Sequence, residues 1–205
     1  MSQIFDNPED YFRMLVPPRD ELMMELETQA EKENIPIVGP VVGELLFILV
    51  VATKAKKILE LGTATGYSAL YLARACEQID GHVVTLESNI DMAARAKHNF
   101  QKAGLSDRIE IHVVEAAEVL PQLKESFDFI FLDIEKSDYI KVLPDCQRLL
   151  AKGGLLVADN VGFKDADGFN RSIAGHDGWR SIPLLSYLPL HSPEKDALCI
   201  ALRCE

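Results

Sequence analysis

The chain predicts an α/β domain: a mostly parallel sheet of seven strands with helices on both faces, an antiparallel pair at one edge, and a helical preface before the first strand. Three observations carry this expectation. Short apolar runs alternate with helix-length segments from Lys57 to Ala158. The first of these runs leads into a glycine turn, Gly62 to Gly66, that opens a helix. The last two apolar segments, Ser181 to Leu188 and Ala197 to Arg203, follow one another through a turn instead of a helix, as an antiparallel pair requires.

In order, Met1 to Pro18 reads as an arm with a short helix over Pro8 to Met14, begun by Asn7-Pro8 and broken by Pro17-Pro18. Arg19 to Glu33 is helical, with Leu22, Leu26 and Ala30 at spacing four. Pro36 and Pro40 bracket a turn, and Val41 to Thr53 reads as a mostly buried helix. The strands of the core are Lys57 to Leu61, His82 to Glu87, Ile109 to Val114, Phe127 to Leu132 and Leu155 to Ala158. Between them fall a helix from Tyr67, one from the N-cap Asn89 to Ala103 closed by Gly104, a short one over Ala116 to Lys124, and one from Ser137 to Leu150 ended by Gly153-Gly154. A further helix is expected near Asp167 to Ala174, and Pro189 to Lys195 joins the last two strands. There are no repeats and no linker, so the expectation is one domain over 1–205, with 1–53 as preface and 54–205 as core.

Composition narrows the class. At 205 residues, 48% hydrophobic and 26% charged, the chain is long enough to bury a substantial core. A net charge of -11 counts against a large nucleic-acid or anionic-membrane surface. The four cysteines form no C-x-x-C pair and read as reduced thiols of a cytoplasmic protein, with no zinc site. The N-terminus is not a signal peptide, and the most apolar run, Leu45 to Ala52, is too short to span a membrane.

Strand, glycine turn and helix together are how a Rossmann-like sheet builds a nucleotide pocket. The turn Glu60-Leu-Gly-Thr-Ala-Thr-Gly66 lacks the Gly-Lys-Ser/Thr ending of a phosphate loop and the G-x-G-x-x-G of a dinucleotide site. Instead it carries Glu60 at the strand end, where a carboxylate repels a pyrophosphate and receives an ammonium. Glu87, at the end of the next strand and 21 residues after Gly66, suits the two hydroxyls of a ribose. An ammonium acceptor, helix-end N–H groups for a carboxylate and a ribose acceptor describe S-adenosylmethionine better than NAD.

The other parallel strands end in Asp133 and in Asp159-Asn160. If those strands are neighbours, two carboxylates and an amide form an all-oxygen set suited to Mg²⁺, or to Mn²⁺ or Ca²⁺. From spacing alone an equal alternative stands, with Asp159-Asn160 a loop start and Asp133 a cofactor contact only. Lys136, three residues after Asp133, is a candidate general base; as a solitary lysine it would read as a solvated helix start.

The segments Ile58 to Ser68, Thr85-Leu-Glu87, Phe127 to Tyr139 and Leu156-Val-Ala-Asp-Asn-Val161 resemble the cation-dependent O-methyltransferases, the catechol and caffeoyl-CoA superfamily of class I methyltransferases. The match is collinear from about Pro36 onward. The conjunction of E-L-G-T-x-T-G-Y-S, L-D-x-x-K-x-x-Y and A-D-N-V is highly specific, though each alone is weak. By position, the resemblance implies Asp133, Asp159 and Asn160 as metal ligands and Lys136 as catalytic base. It implies Glu60, Gly62 and Ser68 around the methionine end of the cofactor, Glu87 on the ribose, Thr63, Val38 and Ala116 as further cofactor contacts, the last near the adenine, and Asp133 touching metal and cofactor alike. Asn170 falls near a substrate-side or metal-side polar position. Glu115, Val161-Gly-Phe163 and the long Leu190 to Lys195 turn depart from the pattern.

The implied reaction is methyl transfer to a vicinal diol on a small hydroxylated aromatic molecule, in a homodimer whose contact is the N-terminal arm. Two other classes compete. One keeps the chemistry on a hydroxylated tRNA nucleoside; the other is a non-catalytic cofactor-binding protein.

Overall fold

The computed structural model describes residues 7–191, 193 and 195–205. The first six residues of the arm, and Ser192 and Glu194 of the last turn, lie outside them. The preface is α1 (Pro8–Met14), α2 (Glu21–Glu33) and α3 (Gly39–Thr53). Then come β1 (Lys57–Leu61), α4 (Tyr67–Ile79), β2 (His82–Glu87), α5 (Ile90–Lys102), β3 (Ile109–Val113), α6 (Ala116–Val119) and β4 (Phe127–Leu132). The chain finishes with α7 (Tyr139–Leu149), β5 (Leu150–Ala158), α8 (Asp167–Ala174), β6 (Trp179–Tyr187) and β7 (Lys195–Arg203).

The seven strands form one sheet in the order β3-β2-β1-β4-β5-β7-β6. The first five are parallel, and β7 runs antiparallel to both β5 and β6. Period-2 alternation assigns the strand residues to two cores. Ile58, Phe129, Phe131 and Val157 join α3 and α4 on one face. Leu59, Leu61, Ile130, Leu132, Leu156 and Ala158 join α7 and α8 on the other. The order reverses at β1: β2 is its partner on one side and β4 on the other. Loops leaving the carboxyl ends of those strands diverge there and open a crevice.

Of the preface, α2 and α3 are part of the first core. In α2 the buried positions are Met23, Leu26 and Ala30, not the Leu22, Leu26, Ala30 stripe read from spacing four; Leu22 is only partly buried. Asp20 caps the helix, accepting from Met23 N at 2.9 Å, and Asn34 ends it at φ 54°. α3 starts two residues before the predicted Val41, because Pro40 sits in its first turn instead of breaking it.

Further boundaries differ from expectation: β6 and β7 start at Trp179 and Lys195, each two residues before the predicted position. β5 runs from Leu150, so Gly153-Gly154 lie inside the strand and do not end the preceding helix. Gly153, at φ 82°, takes up the bend, and the β4–β5 register shifts between Phe127 and Phe129. The predicted helix Ala116 to Lys124 is one α-turn followed by a 3₁₀ turn at Leu120–Gln122, where Pro121 intervenes. The four cysteines are free, and three of them are buried. Among the described residues no helix is long and apolar enough to cross a membrane.

Candidate active site

The glycine turn is locked to the strand ends around it. Gly62, at φ 97°, lies so close to β4 that a Cβ there would fall 2.0 Å from the Asp133 carbonyl oxygen. Gly62 N donates to Leu86 O at 3.0 Å, Asp133 N to Leu61 O at 2.8 Å and Asp159 N to Leu132 O at 3.0 Å. The ends of β2, β1, β4 and β5 therefore form one continuous floor.

Glu87 braces the turn as well as facing the crevice. Its Oε2 accepts from Thr63 N at 3.2 Å and Ala64 N at 2.7 Å, and its Oε1 from Asn89 N at 2.8 Å. A carboxylate offers about four acceptor positions, so capacity remains for a ligand hydroxyl. Behind the turn, the Thr63 hydroxyl lies 2.5 Å from that of Thr85, which donates to Glu60 Oε2 at 2.6 Å.

A cavity of about 300 Å³ opens above this floor. Val38, Gly62, Thr63, Ser68, Glu87, Ala116, Asp133, Lys136, Asp159 and Asn160 all line it. Glu60 does not: it is fully buried behind the wall, and its Oε1 has no hydrogen-bond partner among the described residues. Asn170 is also absent from the lining; its Nδ2 donates to Val161 O at 2.8 Å and secures the loop after β5. Departing from the family pattern did not remove Glu115 from the site, since it lines the cavity beside Ala116.

Burial pushes the Glu60 carboxyl up to about 7; the Thr85 and Ser68 hydroxyls pull it down, while the charges of Asp133 and Glu87 add to the rise. A carboxyl raised on folding contributes its stability fully below the unfolded value near 4.5 and loses it as pH climbs through the folded one. A displacement of that size corresponds to roughly 3 kcal/mol. Glu60→Gln cannot ionise. Ligand-free wild type is therefore expected to lose melting temperature relative to Glu60→Gln between pH 5 and pH 7.5, read by calorimetry; parallel curves would contradict it.

The acidic end of the cavity is built from β4 and β5. Lys136 Nζ donates to Asp133 Oδ1 at 2.8 Å and to Ile134 O at 3.0 Å, and lies 5.5 Å from the Tyr139 ring centroid. The Asp133 side chain keeps 24% of its surface exposed and that of Lys136 21%, so both remain accessible. Burial first, and the charge of Asp159 second, hold the Asp133 carboxyl above its usual range, against the pull of Lys136 and His191. Asp159 is almost fully buried; its Oδ1 accepts from Asn160 N at 2.8 Å and its two oxygens lie 3.0 and 3.1 Å from His191 Nε2. Burial alone would lower the His191 pKa, but the hydrogen bond to Asp159 and its charge outweigh that and raise it.

The antiparallel return supplies residues that sequence reasoning missed. Asp196, at the start of β7, accepts Asn160 Nδ2 at 2.6 Å, Gly162 N at 2.9 Å and Ala197 N at 2.7 Å. With Nδ2 so committed, the amide oxygen is the atom Asn160 has left for a cavity ligand. The Tyr139 hydroxyl lies 2.9 Å from Asp159 O and 3.1 Å from Leu132 O, its single proton shared between the two carbonyls, which ties the ends of β4 and β5 together. An acid one residue ahead of the last apolar run was the available signal for Asp196.

The donor set fits a hard divalent cation. Asp133, Asp159 and Asn160, each with a side-chain oxygen donor, line one cavity, and two carboxylates on adjacent strand ends repel each other without a cation between them. Among the described residues, Asp159, His191 and Asp196 also bring potential ligand atoms within 4.8 Å of one another.

A seven-stranded sheet of this order, with the glycine turn and Glu87 at its switch point, defines a class I methyltransferase dependent on S-adenosylmethionine. A model of the O-methyltransferase family matches residues 17–167. A catechol O-methyltransferase of Niastella koreensis is 36% identical over 166 residues, covering 78% of this chain and 75% of its own. That of Sus scrofa is 34% identical over 165 residues, 77% and 88% of the two chains. The O-methyltransferase TomG of Streptomyces achromogenes, involved in tomaymycin synthesis and solved with S-adenosylmethionine, superposes with a TM-score of 0.85 at 27% identity over 96% of each chain. The chain belongs to the catechol and caffeoyl-CoA O-methyltransferase superfamily.

Proposed function

We infer that the protein is a divalent-cation-dependent O-methyltransferase whose acceptor is a vicinal diol on a small hydroxylated aromatic molecule. One observation carries the reading: Asp133, Asp159, Asn160 and Lys136 face the same cavity as the glycine turn and Glu87. A cofactor held by one end of this floor and an acceptor held by the other are brought within reaction distance.

Glu87 takes the ribose, Ala116 borders the adenine, and Val38, Gly62, Thr63 and Ser68 border the methionine end. When bound, S-adenosylmethionine would supply the methyl group, and a divalent cation, which Asp133, Asp159 and Asn160 would hold, would supply Lewis acidity. Lys136 accepts the proton of the hydroxyl that is to be methylated, at Nζ, as general base. Asp133 anchors that amine and contributes to the walls of both subsites. Holding nucleophile and methyl carbon in line removes much of the orientational cost of displacement.

The test compares two acceptors under identical conditions: a catechol acid and its monohydroxy counterpart, with Mg²⁺, followed by S-adenosylhomocysteine release. Turnover confined to the diol supports the reading. Equal turnover of both removes the diol requirement, and turnover of neither but of hydroxylated tRNA moves the acceptor to RNA.

A further inference from the structure

We propose that His191, in the turn between β6 and β7, is a positioning residue that holds Asp159 in the orientation needed to bind the cation. The proposal rests on the cation reading above and adds to it a residue outside the strand-end motifs.

The geometry is that of a brace. Nε2 of His191 spans both Asp159 oxygens, at 3.0 and 3.1 Å, so the carboxylate cannot rotate about its last bond without breaking a contact. On the far side of the ring, Nδ1 lies 2.6 Å from the carbonyl oxygen of Pro193, which can only accept, so Nδ1 donates. The imidazole is thereby fixed at both nitrogens, one by its own turn and one by Asp159. Its side chain is fully buried, and the turn is itself seated: His191 N donates to Leu188 O at 3.1 Å. Gly39 at the start of α3 lies so close that a Cβ would fall 2.1 Å from Leu190 O.

Placement argues for positioning over direct ligation. Asp159 lines the cavity, whereas His191 does not, and the His191 side chain is fully buried. Asp196 acts likewise on Asn160, taking its Nδ2 at 2.6 Å. Two neighbouring oxygen donors are thus oriented by two residues of the β6–β7 hairpin. Hydrogen bonds from such outer residues fix the direction of a ligating carboxylate's lone pairs, and their loss typically weakens metal affinity about 10–100-fold.

The experiment measures Mn²⁺ binding by electron paramagnetic resonance at fixed pH in wild type, His191→Ala and His191→Gln, with S-adenosylmethionine affinity by calorimetry in parallel. Gln keeps an Nε–H donor at nearly the same reach. The expected result is a Mn²⁺ dissociation constant about 10–100-fold weaker in His191→Ala, largely restored in His191→Gln, with cofactor affinity unchanged. Unchanged Mn²⁺ affinity in His191→Ala overturns the proposal. So does equal weakening in both variants, which would assign His191 as a ligand or a mere packing residue. Failure of the wild type itself to bind Mn²⁺ overturns the cation reading and this inference with it, and is distinguished by requiring no variant.

Discussion

Lys136→Met is expected to lower kcat by about 10²–10⁴-fold while leaving cofactor affinity within experimental error. The amine contacts the Asp133 carboxylate and the Ile134 carbonyl and the side chain keeps 21% of its surface exposed, so its removal costs one ion pair and one hydrogen bond to a backbone carbonyl. Methionine fills much of the same space without carrying the charge that lies 5.5 Å from the Tyr139 ring centroid. If Lys136 only balanced the charge of Asp133, its removal would shift cation affinity and spare kcat at saturating cation. If it takes the proton, saturating cation cannot rescue the variant. Single-turnover methyl transfer at saturating Mg²⁺ separates the two cases, and a loss below tenfold would remove Lys136 from the role of base.

Asp159→Asn is expected to weaken cation binding by at least tenfold and to cut kcat/KM by about two to three orders of magnitude, several kcal/mol of transition-state stabilisation. The substitution preserves size, and its amide oxygen can still accept from the Asn160 N–H, so the floor between β4 and β5 keeps its shape. Tyr139 contributes by holding the backbone carbonyls of Leu132 and Asp159, which the change does not touch. The charge is lost, together with one of the two oxygens that His191 Nε2 spans. A variant with wild-type turnover would show that this carboxylate serves only the loop. Binding of S-adenosylmethionine, measured alongside, is expected to be retained, because the residues assigned to it do not include Asp159.

The sequence made much of this arrangement legible because most of it is local. β1, β2 and β4 have the spans that their apolar runs and terminal acids or glycines mark out. Glu87, Asp133, Asp159 and Asn160 were visible as polar residues closing such runs, and the switch-point rule brought them to one crevice. What stayed hidden depended on distant partners. His191 and Asp159 are 32 residues apart, and Asp196 and Asn160 are 36 apart. Their meeting follows from the antiparallel return of β7 beside β5, whose register the sequence pattern does not set. Glu60 was legible as a strand-end acid, but its depth was not: it points into the layer holding Thr85 and stays behind the wall. Gly153-Gly154 carried the usual signature of a helix end, and only pairing with β4 shows that the strand had already begun at Leu150.

The claim that cation, diol and cofactor meet at the ends of β1, β4 and β5 is tested most directly by one measurement. Protein stripped of metal with EDTA and passed into metal-free buffer is given S-adenosylmethionine and a catechol acid, and S-adenosylhomocysteine is followed before and after addition of Mg²⁺. The account predicts no release above background until Mg²⁺ is added, and prompt turnover afterward. Full turnover in the stripped protein, unchanged by Mg²⁺, would contradict it.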